Sequence, residues 1–276
     1  MESDRARSIT VAEGVDLGRT KLGIDSCRGH RPRLQLRIET RVKSQSSKLA
    51  WRNAPNFSPG PRVSRLLSAF EFCFGAFIVI GHNVFHIVPN EVIILFVLGL
   101  ISIRLRDGSW SAMGLKRPAS WRRILLIAFV AAILRILLGQ FLIEPLTGFF
   151  WPKPAAPPLA NEITGNIKYA LVALLVVWTF AAFGEEIAYR GYLLTRAADI
   201  GRRSRVAYWI GIVLVSILFG YGHYYKGASG VIDSGVAGLI LGAAYMVAGR
   251  NLWASIFAHG FIDTFGVIDA FFGWSN

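Results

Sequence analysis

The chain has 276 residues, 53% of them hydrophobic and only 17% charged, with a mean hydropathy of +0.45. Soluble domains carry about 25% charged residues, so this balance excludes an ordinary soluble fold and points to a polytopic membrane protein. The formal charge of +13 reports basic loops beside anionic headgroups, with no nucleic-acid partner. The two cysteines, Cys27 and Cys73, exclude a disulfide framework or a four-cysteine zinc knot.

Residues 1–62 hold 13 Lys+Arg against 6 Asp+Glu and no sustained apolar run. Such a stretch cannot bury enough surface to order itself, and it lacks the apolar centre of a signal peptide. We therefore expect a basic disordered tail over 1–64, a transmembrane hairpin with an interfacial segment over 65–118, and a larger transmembrane domain over 119–272. Apolar runs follow at Leu66–Val88, Val92–Leu105, Ile124–Leu146, Tyr169–Tyr192, Val206–Tyr221, Val231–Ala248 and Leu252–Phe272. A spanning helix needs about 20 residues, and backbone groups in lipid must bond within their own segment. The expected fold is all-α, a bundle of about seven transmembrane helices, with six as the alternative because only Pro89 and its neighbours divide the first two runs.

The loops carry eleven Lys/Arg on one side (Arg104, Arg106, Lys116, Arg117, Arg122, Arg123, Arg196, Arg202, Arg203, Arg205, Arg250) against Lys153, Lys168 and Lys226 on the other. By the positive-inside rule the N-terminus is cytoplasmic, in what reads as a bacterial cytoplasmic membrane. Trp110–Pro118 reads as an interfacial strip. Trp151–Pro158, with four prolines, reads as a non-helical loop.

Ionisable groups inside a bilayer cost about 2.5–3.5 kcal/mol each on insertion scales, so each needs a partner or a use. Span four carries Glu185, Glu186 and Arg190; span five ends at Phe219 and His223; span seven carries His259 and Asp263. Glu186 and Arg190 are i,i+4 with the acid first, the order that favours an ion pair. Glu185 lies about 100° round the helix and stays available as a general base. His259 and Asp263 share a face, where they can share a hydrogen bond, bind a metal or hold a carbonyl. Gly220 and Gly222 let another helix approach beside His223. His82 and His86 read as interfacial.

The pattern Glu-Glu-x-x-x-Arg, Phe-x-x-x-His, His-x-x-x-Asp, filled by Glu185, Glu186, Arg190, Phe219, His223, His259 and Asp263, resembles the CPBP family of intramembrane proteases, which comprises CAAX proteases and bacteriocin-processing enzymes of the Abi group. The resemblance covers roughly 121–272, and Gly114–Pro118 is similar to a further family feature. Where eukaryotic CAAX enzymes carry Asn, this chain has Asp263. The resemblance implies a membrane-embedded endopeptidase with catalytic Glu185, Glu186, His223, His259 and Asp263, supported structurally by Arg190 and Phe219. Its partners are a peptide or protein substrate in the membrane and the lipid bilayer; prenylated C-termini and peptide precursors both qualify as substrates.

In the implied mechanism Glu185 deprotonates a water held by His223, His259 and Asp263 handle the substrate carbonyl, and no cofactor is needed. The alternative is a zinc enzyme using His223, His259 and Asp263 as ligands, with water in the fourth position. Two other classes compete: an ion-coupled transporter with these groups as a proton relay, against which no internal repeat is visible, and a noncatalytic immunity protein. One expectation conflicts with a shared site. Along the helices from their arginine-rich ends, His223 lies about 10 Å deeper than Glu185 or His259.

Overall fold

The computed structural model describes residues 61–151 and 162–274. The expected tail up to residue 60 and the proline-rich loop beyond Trp151 lie outside the described residues. What is described is all-helical: α1 Pro61–Asn83, α2 Glu91–Asp107, α3 Trp121–Phe150, α4 Ile167–Ile200, α5 Arg205–Tyr221, α6 Gly227–Val247 and α7 Leu252–Phe272. Five of them are long and apolar enough to cross a membrane; α5 is apolar but shorter, and α2 carries four charges. Large side chains such as Phe70, Phe129, Leu171 and Ile217 point outward along them, which suits a lipid solvent. This is an integral membrane protein.

Polar residues mark the helix starts. Asn90, Ser120, Ser204 and Asn251 each accept a hydrogen bond from an amide of the first turn of α2, α3, α5 and α7, satisfying donors that the helix leaves free. Gly108 and Gly273 end α2 and α7 in the left-handed conformation. Between α2 and α3, the strip around the Trp110–Met113 turn is stitched to the α6–α7 connection. Leu252 donates its amide to the Gly114 carbonyl (2.9 Å), and Asn251 Nδ2 donates to the Lys116 carbonyl (3.2 Å). Gly114 sits at φ +95°, with Tyr245 and the Arg250 carbonyl where a Cβ would go.

Helices α5 and α6 approach closely because glycine lines the contact. A Cβ on Gly220 would lie 2.5 Å from the Val231 carbonyl, and one on Gly242 2.6 Å from Ile212. Small residues at such spacing let helix backbones meet in lipid, where packing replaces the hydrophobic drive.

Two ionic features go beyond the sequence reading. Arg196, expected in a loop, lies inside α4, which continues to Ile200, and is 1% exposed. Its guanidinium meets Glu71 of α1 (2.9 Å), Asp107 of α2 (3.0 Å), Asp199 (2.8 Å) and the Ser102 hydroxyl (2.9 Å). Arg106 and Arg203 pair with the same carboxylates, so part of the basic loop count is an internal clamp on α1, α2 and α4. The second feature is Arg135, in the middle of α3, which pairs with Asp233 of α6 at 2.5 Å. Gly139, where α3 widens into a π turn, leaves room for that guanidinium.

Candidate active site

Helix α4 presents Glu185, Glu186 and Arg190 from an unusual backbone. Residues Val177–Glu185 and Ile187–Leu193 wind as π-helix, a form that concentrates at functional sites. At the start of this stretch the Thr179 hydroxyl donates to the Leu175 carbonyl (2.7 Å), competing with the backbone ladder.

Glu186 is the centre of the ionic geometry. It is fully buried, and its Oε1 accepts from Arg190 (2.8 Å) and from His259 Nδ1 of α7 (2.9 Å). Arg190, 1% exposed, also donates to the Gly238 carbonyl of α6 (3.3 Å) and lies 4.3 Å over the Phe219 ring of α5. One buried acid and one buried arginine thus join α4, α5, α6 and α7. The other nitrogen of His259 faces Asp263 Oδ2 at 3.4 Å, long for a hydrogen bond. Gly260 beside it makes way for the Trp178 ring, whose atoms would lie 2.5 Å from a Cβ there, and Trp178 donates to Thr264 (3.2 Å). Phe219 is the shared wall: its ring centre is 5.0 Å from His223, 5.9 Å from His259 and 5.1 Å from Tyr189.

Glu185 does not join this network. It lines a cavity of about 220 Å³ with Tyr189, Gly222 and His223, and His82, Asn90 and Glu91 of the α1–α2 hairpin complete the lining. Its Oε2 is buried without a hydrogen-bond partner among the described residues, a state that needs an explanation in a native fold. His223 stands just past the end of α5, in the connection to α6. Its Nδ1–H donates to the Phe219 carbonyl (2.9 Å). Burial, with the Lys226 charge nearby, pushes its imidazole down to about 4, so the ring is neutral at pH 7 and Nε2 keeps a lone pair.

The expected depth conflict narrows for Glu185. Because α4 runs to Ile200, Glu185 is 15 residues from its arginine-rich end, against 18 for His223 from Arg205, a difference of about 4–5 Å.

The donor set does not fit zinc as arranged. Both nitrogens of His259 face carboxylate oxygens, so the ring turns no lone pair to the cavity. Among the described residues no group of three or more His, Cys, Asp or Glu side chains is placed to hold a metal ion.

Residues 167–265 match the family model described as Type II CAAX prenyl endopeptidase Rce1-like. The chain carries a domain of this family. No curated protein and no solved structure matches the chain. The Rce1-like domain begins with α4 and ends two residues beyond Asp263, so it contains Glu185, Glu186, Arg190, Phe219, His223, His259 and Asp263. At family level it is a peptidase domain. Outside it, on α1 and α2, lie residues that sequence reasoning missed. His82, read as interfacial, donates Nδ1–H to the Val88 carbonyl (2.8 Å), pairs with Glu91 (3.1 Å), and lines the Glu185 cavity. The available signal was the polar run His82, Asn83, Asn90 and Glu91 in an otherwise apolar hairpin. Tyr189, inside the motif segment, also lines the cavity, its hydroxyl against Gly222.

Proposed function

We propose that this protein is an intramembrane endopeptidase that hydrolyses peptide bonds with a water activated by Glu185 and no catalytic metal. The observation that carries the reading is the cavity shared by Glu185, with its buried oxygen unpartnered among the described residues, and His223, whose Nδ1 is taken by the Phe219 carbonyl. A water there donates one hydrogen to Glu185 and the other to His223. Glu185 takes the proton as the water oxygen attacks the substrate carbonyl carbon, then returns it to the amine as the C–N bond breaks. The Nε2–H of His259, which meets Asp263 only at a long 3.4 Å, is the donor that turns to the developing oxyanion. Arg190 and Phe219 fix Glu186 and the two imidazoles in place. Asp263 orients His259.

The cavity lies at the end of the bundle opposite the arginine-rich connections, with exposed Asn90 and Tyr225 at its rim. With those connections in the cytoplasm, as in the bacterial inner membrane, the substrate enters from the other side. This favours a membrane-anchored peptide precursor over a cytoplasmic prenylated C-terminus. The test uses the full chain in sealed vesicles of known orientation, offered fluorogenic membrane peptides and a prenylated CAAX peptide from either side. Cleavage abolished by Glu185→Gln, and retained after exhaustive chelation, is the expected result. A strict requirement for one equivalent of zinc would overturn the mechanism.

A further inference from the structure

A second cavity, of about 390 Å³, opens at the arginine-rich end between the start of α5 and the end of α6. Arg203, Arg205, Tyr208, Trp209 and Arg250 line it. No residue of the candidate active site reaches it. Its charge is unbalanced. Asp107 and Asp199 face Arg203 and neutralise it, whereas Arg205 and Arg250 pair with no carboxylate among the described residues. The Arg250 guanidinium lies 5.0 Å over the Tyr208 ring. Arg203 and Arg250 both hold the left-handed backbone, at φ 53° and 56°, which is uncommon for arginine.

The independent observation is Tyr208. It is 1% exposed, and its hydroxyl is buried with no hydrogen-bond partner among the described residues. A buried, unpartnered hydroxyl lining the same pocket as two guanidinium groups that pair with no carboxylate among the described residues is complementary to an oxyanion with several acceptor oxygens. The surroundings select its carrier. Val247, 58% exposed, lines the pocket beside the half-exposed Trp209, a residue type that settles at headgroup depth, and Val206, 67% exposed, follows Arg205 in the chain.

We propose that this pocket binds the headgroup phosphate of an anionic phospholipid. Arg205, Arg250 and the Tyr208 hydroxyl donate to the phosphate oxygens, and the acyl chains run along Val206 and Val247. A basic residue at the headgroup surface strengthens binding about fivefold, so the two free arginines together account for about 25-fold.

The delipidated full chain in neutral detergent is titrated with dioctanoyl phosphatidylglycerol, dioctanoyl phosphatidylcholine and inorganic phosphate, with adducts counted by native mass spectrometry. Phosphatidylglycerol should bind one to one and more tightly than phosphatidylcholine. Binding should weaken about 25-fold in R205Q/R250Q and about threefold in Y208F. Arg205 and Arg250 are exposed, and Y208F removes a single oxygen, so unchanged melting temperatures keep the comparison interpretable. Equal affinity of wild type and R205Q/R250Q would overturn the site. Inorganic phosphate displacing the lipid mole for mole would overturn the lipid assignment in favour of a soluble anion. Neither result depends on proteolysis.

Discussion

Two arginines six residues apart on α4, each 1% exposed, show how one helix can serve two purposes. Arg196 is saturated: three carboxylates and a serine hydroxyl surround it, contributed by α1, α2 and α4 itself. Arg190 shares a single acid with His259 and completes its shell with a backbone carbonyl and the face of Phe219. At Arg196 every nearby acid is committed, and nothing is left over to react. At Arg190 the neighbouring Glu185 and Glu186 each keep an oxygen without a hydrogen-bond partner among the described residues. In the proposed mechanism reactivity follows from that withheld pairing: the arginine clamp supplies rigidity, and the underpaired acids supply the chemistry.

The sharpest way to break this contrast is Glu185→Gln. It preserves shape and removes the base, so kcat for a cleavable membrane peptide should fall about 10²–10⁴-fold with no change in thermal stability. Should activity survive, the cavity is not the reaction site. Arg196→Leu should do the reverse. It strands buried carboxylates at a cost of about 3–5 kcal/mol, so folded yield and melting temperature fall. Cleavage per folded molecule, measured after active-site titration, should stay near wild type.

Gly260→Ala tests whether His259 is positioned through packing. The added methyl meets the Trp178 ring, a rigid neighbour, and overpacking of this kind costs about 1–3 kcal/mol. Because α7 must shift to relieve it, kcat should drop more than stability does. Trp178→Leu in the same chain should restore part of the loss by reopening the space. A melting-temperature change with kcat intact would show that the glycine serves packing alone.

The helical bundle was readable because lipid imposes strong rules. Long apolar runs must be helices, and titratable groups within them are costly enough to draw attention; Glu185, Glu186, His223, His259 and Asp263 became a candidate set through their combination and its resemblance to a family pattern. The partners were not readable. That Glu186 would be shared between Arg190 and His259 depends on where α4 and α7 cross, which no local pattern encodes. Arg135 and Asp233, almost 100 residues apart on α3 and α6, form a pair that neither residue signals by itself. Arg196 looked like a loop cation because positive charge normally ends a span; two of its three carboxylates, Glu71 and Asp107, come from α1 and α2, far away in the chain. The π winding of α4 is likewise invisible to a periodicity of 3.6.

The mildest test concerns the acid that sequence reasoning passed over. Glu91 is 6% exposed, holds His82 at 3.1 Å, and faces the same cavity as Glu185 without touching the ionic network around Arg190. If the α1–α2 connection only roofs the cavity, Glu91→Gln keeps the shape and weakens one charge-assisted hydrogen bond. Such a bond is worth about 1.5–3 kcal/mol at most, and much of that is recovered by the retained amide oxygen. KM should rise about threefold to tenfold while kcat stays within about twofold, because the substrate loses a fixed rim and the base is untouched. A kcat loss comparable to that of Glu185→Gln would instead place the His82–Glu91 pair in the proton path. The active cavity would then extend beyond α4–α7 into the first hairpin, and the contrast between a chemical half and a supporting half of the bundle would have to be redrawn.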